Sequence, residues 1–243
     1  MKRRYFLGTL LGTISIAALG GCSLFDRHYT YRYRMTVEVV TPDGLKTGSS
    51  VQEQTVTKYA VPQLGSGNVR YIDTRGEAVA VDLPGGRTLF ALLADSNLIQ
   101  SVLDPAWTND WVASAQRITS GETPRTSLSM SAHSAKPFGM KTGYPLLVAF
   151  RDIGDPKTVE KITPDDFAKN FGPGVTLKRI TVQITDDPVT SGIERRLDDK
   201  FWRHWGLMHK TEMSKSGGIM KNPYFQSLAG QLSRDDFTKE PAQ

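Results

Sequence analysis

Cys22 is the only cysteine in 243 residues, so any thiol chemistry of this chain happens there. It closes the tetrapeptide Leu19-Gly20-Gly21-Cys22, behind an apolar run from Phe6 and a basic start, Lys2-Arg3-Arg4. Other reactive side chains are sparse. There are four histidines, His28, His133, His204 and His209. His204 and His209 stand five apart, whereas one ion held from a continuous helix favours spacings of three or four. Zinc would need a third ligand, and no cysteine is spare. Paired carboxylates occur at Asp165-Asp166, Asp186-Asp187, Asp198-Asp199 and Asp235-Asp236. Neighbouring side chains diverge on a helix or strand, so adjacency alone does not build an acid and a base. The first pair fits a helix start after Thr163-Pro164. The second precedes Pro188 in a turn, and the third has Arg195 and Arg203 at helical spacings of four. No metal and no cofactor is expected.

Two aromatic groups could bind without reacting. Phe201-Trp202-Arg203-His204-Trp205 places three aromatics in five residues. On a helix, Phe201 and Trp205 turn inward and Trp202 stands partly outside. Trp202 beside His204 would then stack on a sugar or a partner protein, or else pack against the C-terminal segment. Tyr29, Tyr31 and Tyr33 share one face of a strand. They form either a stacking platform for glycan, with Tyr31 at its centre, or a cover for the sheet edge with hydroxyls in solvent.

Lys46-Thr47-Gly48 and Lys141-Thr142-Gly143 spell one box of the penicillin-binding proteins, but the Ser-x-x-Lys nucleophile of that chemistry is absent. No Gly-x-Ser-x-Gly elbow occurs either. Residues 119–143 hold five Ser, four Thr and three Gly with no period. Long aperiodic segments are uncommon in compact domains and often functional. An enzyme would place its site there, under a lid carrying His133 or Lys136.

The first residues fit a secretory signal: a basic start, a short apolar stretch, then small residues. The stretch is too short to span a bilayer. Leu19-Gly20-Gly21-Cys22 resembles the lipobox of bacterial lipoproteins. That resemblance implies cleavage after Gly21, a diacylglyceryl thioether on Cys22 and acylation of the new N-terminus. Ser23 after the cysteine implies sorting to an outer membrane. Arg3-Arg4-Tyr5-Phe6-Leu7 also resembles the twin-arginine export motif, with departures at Lys2 and Gly8; a plain basic start is the alternative. The stretch around Thr163–Gly174 resembles an uncharacterised bacterial lipoprotein family, which implies no activity.

Without the signal, residues 22–243 carry 27 basic and 25 acidic side chains. That balance lacks the basic face a nucleic-acid protein requires, so no nucleic acid is expected as partner. A chain of this size buries enough surface to hold a core without disulfides, and a single cysteine permits none within the chain.

Alternation from Tyr29 through Val39, then Pro42-Asp43-Gly44, predicts a hairpin over 29–57. Residues 78–83, 88–94, 144–151 and 176–185 read as further strands. Leu89–Leu93 and Tyr144–Arg151 are apolar on both faces, as in strands covered on both sides. Helices are expected at 95–103, 107–118 and after Thr163. Ser191-x-x-Glu194 reads as a capping box opening a helix with Ile193, Leu197, Phe201 and Trp205 inward. Asn222-Pro223 would open a last helix. The expected organisation is a signal at 1–21, a lipidated tether at 22–28, one α+β domain at 29–232 with a mainly antiparallel sheet, and a loose tail at 233–243. The functional expectation is a lipid-anchored envelope protein facing the periplasm, binding an envelope protein or wall polymer without catalysis. The alternative is an envelope-acting hydrolase or other enzyme with its site near 119–143.

Overall fold

A computed structural model describes residues 25–61, 70–130, 143–215 and 222–240. Its described residues form an α+β fold in which all strand pairs of two sheets are antiparallel. β1 (Arg27–Thr41) and β2 (Gly44–Lys58) form a hairpin fifteen residues long on each side. β3 (Arg70–Glu77) pairs with β2. β4 (Val79–Leu83) and β5 (Arg87–Ala91) make a second hairpin. Then come α1 (Ser96–Leu103), α2 (Trp111–Ser120), β6 (Leu128–Met130), β7 (Leu147–Phe150) and β8 (Val159–Ile162). A short α3 (Phe167–Phe171) leads into β9 (Thr176–Ile184). The remainder is α4 (Asp199–Lys215), α5 (Pro223–Gln226), α6 (Leu228–Gln231), α7 (Arg234–Phe237) and β10 (Thr238–Lys239). The sheet orders are β10-β3-β2-β1-β9-β6 and β4-β5-β7-β8.

Period two drives the larger sheet. Tyr31, Tyr33, Met35, Val37 and Val39 are buried on one face of β1. Leu98, Ile99 and Leu103 of α1, Ala115 and Ile118 of α2, and Val79, Val81, Leu89 and Ala91 of the smaller sheet join them in one core. Gly48 of β2 lets the sheets meet: a Cβ there would lie 2.2 Å from the Ala80 carbonyl oxygen. The smaller sheet is covered on both sides, as its unbroken apolar runs predict. Phe90, Leu92, Val148 and Phe150 form a second core with Leu197, Phe201, Trp205 and Phe237. The order of layers is therefore large sheet, small sheet, C-terminal helices, with α1 and α2 packed against the large sheet.

Helix starts follow side-chain caps. Asp95 accepts from the Asn97 N–H, Asp110 from those of Val112 and Ala113, and Thr163 and Asp166 cap one another. Four expectations fail. Ser191 does not open a helix: Gly192 adopts φ 130°, a short turn covers Ile193–Arg195, and α4 starts at Asp199. Ile193, Leu197, Phe201 and Trp205 are still all buried. Arg27 and His28, expected in a tether, belong to β1, and His28 Nδ1 bonds Thr57 Oγ1 at 2.9 Å. The segment from 233 is not loose as far as Lys239. Ser233 and Asp236 form a capping box, Phe237 is fully buried, and Thr238 pairs with Glu77. Finally, the described part of the 119–143 stretch ends α2 and adds β6, whose Met130 pairs with Ile180.

Candidate functional site

α4 carries two of the sequence candidates. It begins when Asp198 Oδ1 accepts the Phe201 N–H at 2.8 Å, which satisfies a donor that a helix start leaves open. Phe201, Trp202 and Trp205 form its buried stripe. Trp202 is therefore not an exposed stacking surface. It lies parallel to Trp205, with centroids 5.8 Å apart, and 5.5 Å from Phe237 of the C-terminal segment. Trp205 fixes the register by donating from Nε1 to the Ala229 carbonyl at 2.9 Å.

His204, one turn-quarter away from Trp205, is exposed. It lines a recess of about 360 Å³ with Ile153, Gly154, Lys200 and Phe201. Arg196 and Asp198 line it as well, but both are engaged. Arg196 Nη2 grips Asp82 Oδ2 at 2.6 Å, and Asp198 caps the helix. The Asp82 carboxyl is held below the usual range, by the Arg196 hydrogen bond above all. What stays open is one imidazole near one ammonium. Such a recess can hydrogen-bond a polar ligand. General-base work would need a group that orients the imidazole, and no hydrogen bond or ion pair to His204 occurs among the described residues.

His209 faces different surroundings. Its ring is parallel to Trp205 at 6.4 Å and edge-on to Tyr224 at 5.3 Å, and burial pulls its pKa below the ordinary value. One ion cannot bridge the two histidines. No group of three or more His, Cys, Asp or Glu gathers as a metal site among the described residues.

Tyr31 is corrected in both of its readings. It is neither a glycan platform nor an edge cover with a wet hydroxyl. β2 places Gln54 opposite Tyr31 and Gln52 opposite Tyr33. The tyrosine hydroxyls donate to those amides, to Oε1 at 2.6 and 2.7 Å. Burial pushes both hydroxyls well above their ordinary pKa, so they stay protonated and serve as donors. A recess of about 270 Å³ opens beside Tyr31, lined also by Arg32, Glu53, Thr119, Arg125 and Asp186. Its charges are paired: Arg32 with Glu53 at 2.7 Å and Arg125 with Asp186 at 2.6 Å.

The adjacent carboxylates are likewise occupied. Asp166 accepts from Thr163 Oγ1 at 2.6 Å, and Asp187 receives Arg34 at 2.6 Å. Cys22, His133 and Lys136 lie outside the described residues, as does Lys141-Thr142. One surface feature was missed at the level of sequence. Phe25, Val61 and Tyr71 are exposed at the same end of the large sheet, next to the chain's entry into β1. The available signal was Phe25 itself, an aromatic three residues after Cys22. Among the described residues no helix is long and apolar enough to cross a membrane. No family model, no curated protein and no solved structure matches this chain.

Proposed function

We propose that this protein is a lipid-anchored component of a bacterial cell envelope, whose α+β domain binds a partner protein or wall polymer on the periplasmic side and catalyses no reaction. One observation carries the reading. The sole cysteine ends Leu19-Gly20-Gly21-Cys22, behind a basic and then apolar start, at the position a lipobox requires. Three acyl chains on Cys22 would hold the domain durably, since two membrane signals already suffice for stable anchoring. The non-catalytic part is supported by the side chains just described, whose carboxylates and tyrosines are spent on caps, ion pairs and cross-strand bonds. The His204–Lys200 recess is the part of this surface suited to a polar ligand.

The experiment is mass spectrometry of the protein from membranes of an expressing bacterium. The expected result is a mature chain starting at a lipidated Cys22, with Cys22→Ala shifting the protein out of the membrane fraction. An unmodified thiol on a membrane-bound chain, or cleavage after Cys22, would overturn the reading.

A further inference from the structure

We infer that the end of the large sheet nearest Cys22 is a membrane-docking surface that seats on anionic phospholipid headgroups beside the lipid anchor; this rests on the anchored reading above. Phe25, Val61 and Tyr71 are 80%, 72% and 56% exposed. They are not scattered. Asp26 Oδ1 accepts the Ala60 N–H at 2.9 Å, which ties the segment carrying Phe25 to the one carrying Val61. The terminal rung of the hairpin pairs Arg27 with Lys58, and Tyr71 stands on the next rung, opposite Thr57. The Asp26 carboxylate is turned to Ala60, and Asp73 stands three rungs further in.

Bulky apolar and aromatic side chains framed by cations are the chemistry of a bilayer interface. Aromatic rings settle at headgroup depth, and each basic residue near an anionic leaflet adds to the attraction. Position selects the bilayer over other occupants. Phe25 follows Cys22 by three residue steps, a reach of at most about 11 Å. An acylated Cys22 therefore keeps this end of the sheet at the headgroups. The other exposed apolar pair of the hairpin, Val40 and Leu45, sits at its far tip, about 40 Å along β1 at the usual rise per residue. That pair serves as an internal control.

The test uses an unlipidated chain beginning at Ser23, which keeps every contact described here, since all of them lie within residues 25–240. Sedimentation is measured with phosphatidylethanolamine–phosphatidylglycerol vesicles and with pure phosphatidylcholine vesicles. The anionic vesicles are expected to bind the chain and the neutral ones to bind it far less. Joint Arg27→Gln and Lys58→Gln should lower partitioning roughly twentyfold, about fivefold per cation. Phe25→Ser with Val61→Ser should lower it on the order of tenfold. Val40→Ser with Leu45→Ser should leave it unchanged. Thermal melts by circular dichroism verify that each variant folds. Three outcomes overturn the inference: no binding to anionic vesicles, equal loss from the Val40–Leu45 pair, or a dimer in ultracentrifugation that Phe25→Ser with Val61→Ser dissolves. Acylation of Cys22 is read separately by mass. A lipidated Cys22 on a chain whose unlipidated form ignores vesicles sinks only the surface. Vesicle binding with a bare Cys22 sinks only the anchor.

Discussion

Asp104 closes α1 with its carboxylate buried and gripped by the Arg117 guanidinium at 2.6 Å. Burial alone would raise its pKa. Hydrogen bonds from the Arg117 guanidinium and the Ala106 amide outweigh burial and hold the group below its ordinary value. As pH falls, the unfolded chain therefore takes up the proton first. The stabilisation is complete above the usual carboxylate range near pH ~4 and is lost as pH drops through the folded value. Asp104→Asn is expected to cost about 2 kcal/mol at neutral pH. The gap to the parent should narrow in urea titrations repeated near pH ~2; a gap independent of pH would show that the charge plays no part. The same scale explains the fate of Tyr31. A tyrosine on an alternating strand reads as a rim residue, because its hydroxyl wants water. Gln54, opposite across the hairpin, supplies an acceptor, and the ring goes inside. Nothing in the local run Tyr29–Tyr33 announces that partner.

At the scale of elements, two glycines make opposite predictions. Gly48 stands in β2 where β4 crosses it, with space for hydrogen and nothing larger. Gly48→Ala must push the two sheets apart and is expected to cost about 3 kcal/mol or more. Gly206 is exposed within α4, and a Cβ there meets nothing within 4 Å. Gly206→Ala should stabilise by up to about 1 kcal/mol through helix propensity. Chemical denaturation of both variants checks the pair, and a similar sign for the two would contradict the packing described. Elements with a strong pattern of their own were legible: β1 and β9 by alternation, β5 and β7 by unbroken apolar runs, and the helix after Thr163 by its start signals. β3, β6 and β8 were not. Arg70–Glu77 is rich in charge, and Leu128–Met130 and Val159–Ile162 are only three and four residues long. Such strands exist because a longer neighbour offers its open edge, and that neighbour is distant in sequence.

Across the whole molecule, the chain's end closes what its middle leaves open. Phe150 of β7 presents its ring to Phe201 and Trp205 at 5.5 and 6.0 Å, and Phe237 returns to complete that cluster. β10 then adds a strand to the sheet that β1 begins. Phe237→Ala is expected to destabilise by about 4 kcal/mol. A chain stopped after Leu232 should lose near-ultraviolet dichroism from its tryptophans. Full near-ultraviolet signal and unchanged denaturation in that shortened chain would show the segment to be dispensable. Sequence reasoning treated 233–243 as loose, since Ser233-Arg234-Asp235-Asp236 is polar and a single Phe237 gives no period. Its burial comes from the aromatic cleft between β7 and α4, which exists only once both have packed.

The sequence by itself determined the α+β class, which face of β1 turns inward, that β5 and β7 would be covered on both faces, and where α1 and the helical turn after Thr163 begin; α2 starts at Trp111 and not at 107, because Asp110 supplies its cap. These follow from periods of two and 3.6 and from caps, all of which act over a few residues. Only the tertiary structure decided that Trp202 and Tyr31 are interior, that His204 is left at the surface while His209 is half-buried, and that Phe25, Val61 and Tyr71 share one sheet end. Each of those outcomes depends on a partner far along the chain, and a pairing between distant residues leaves no mark in the local pattern of either one.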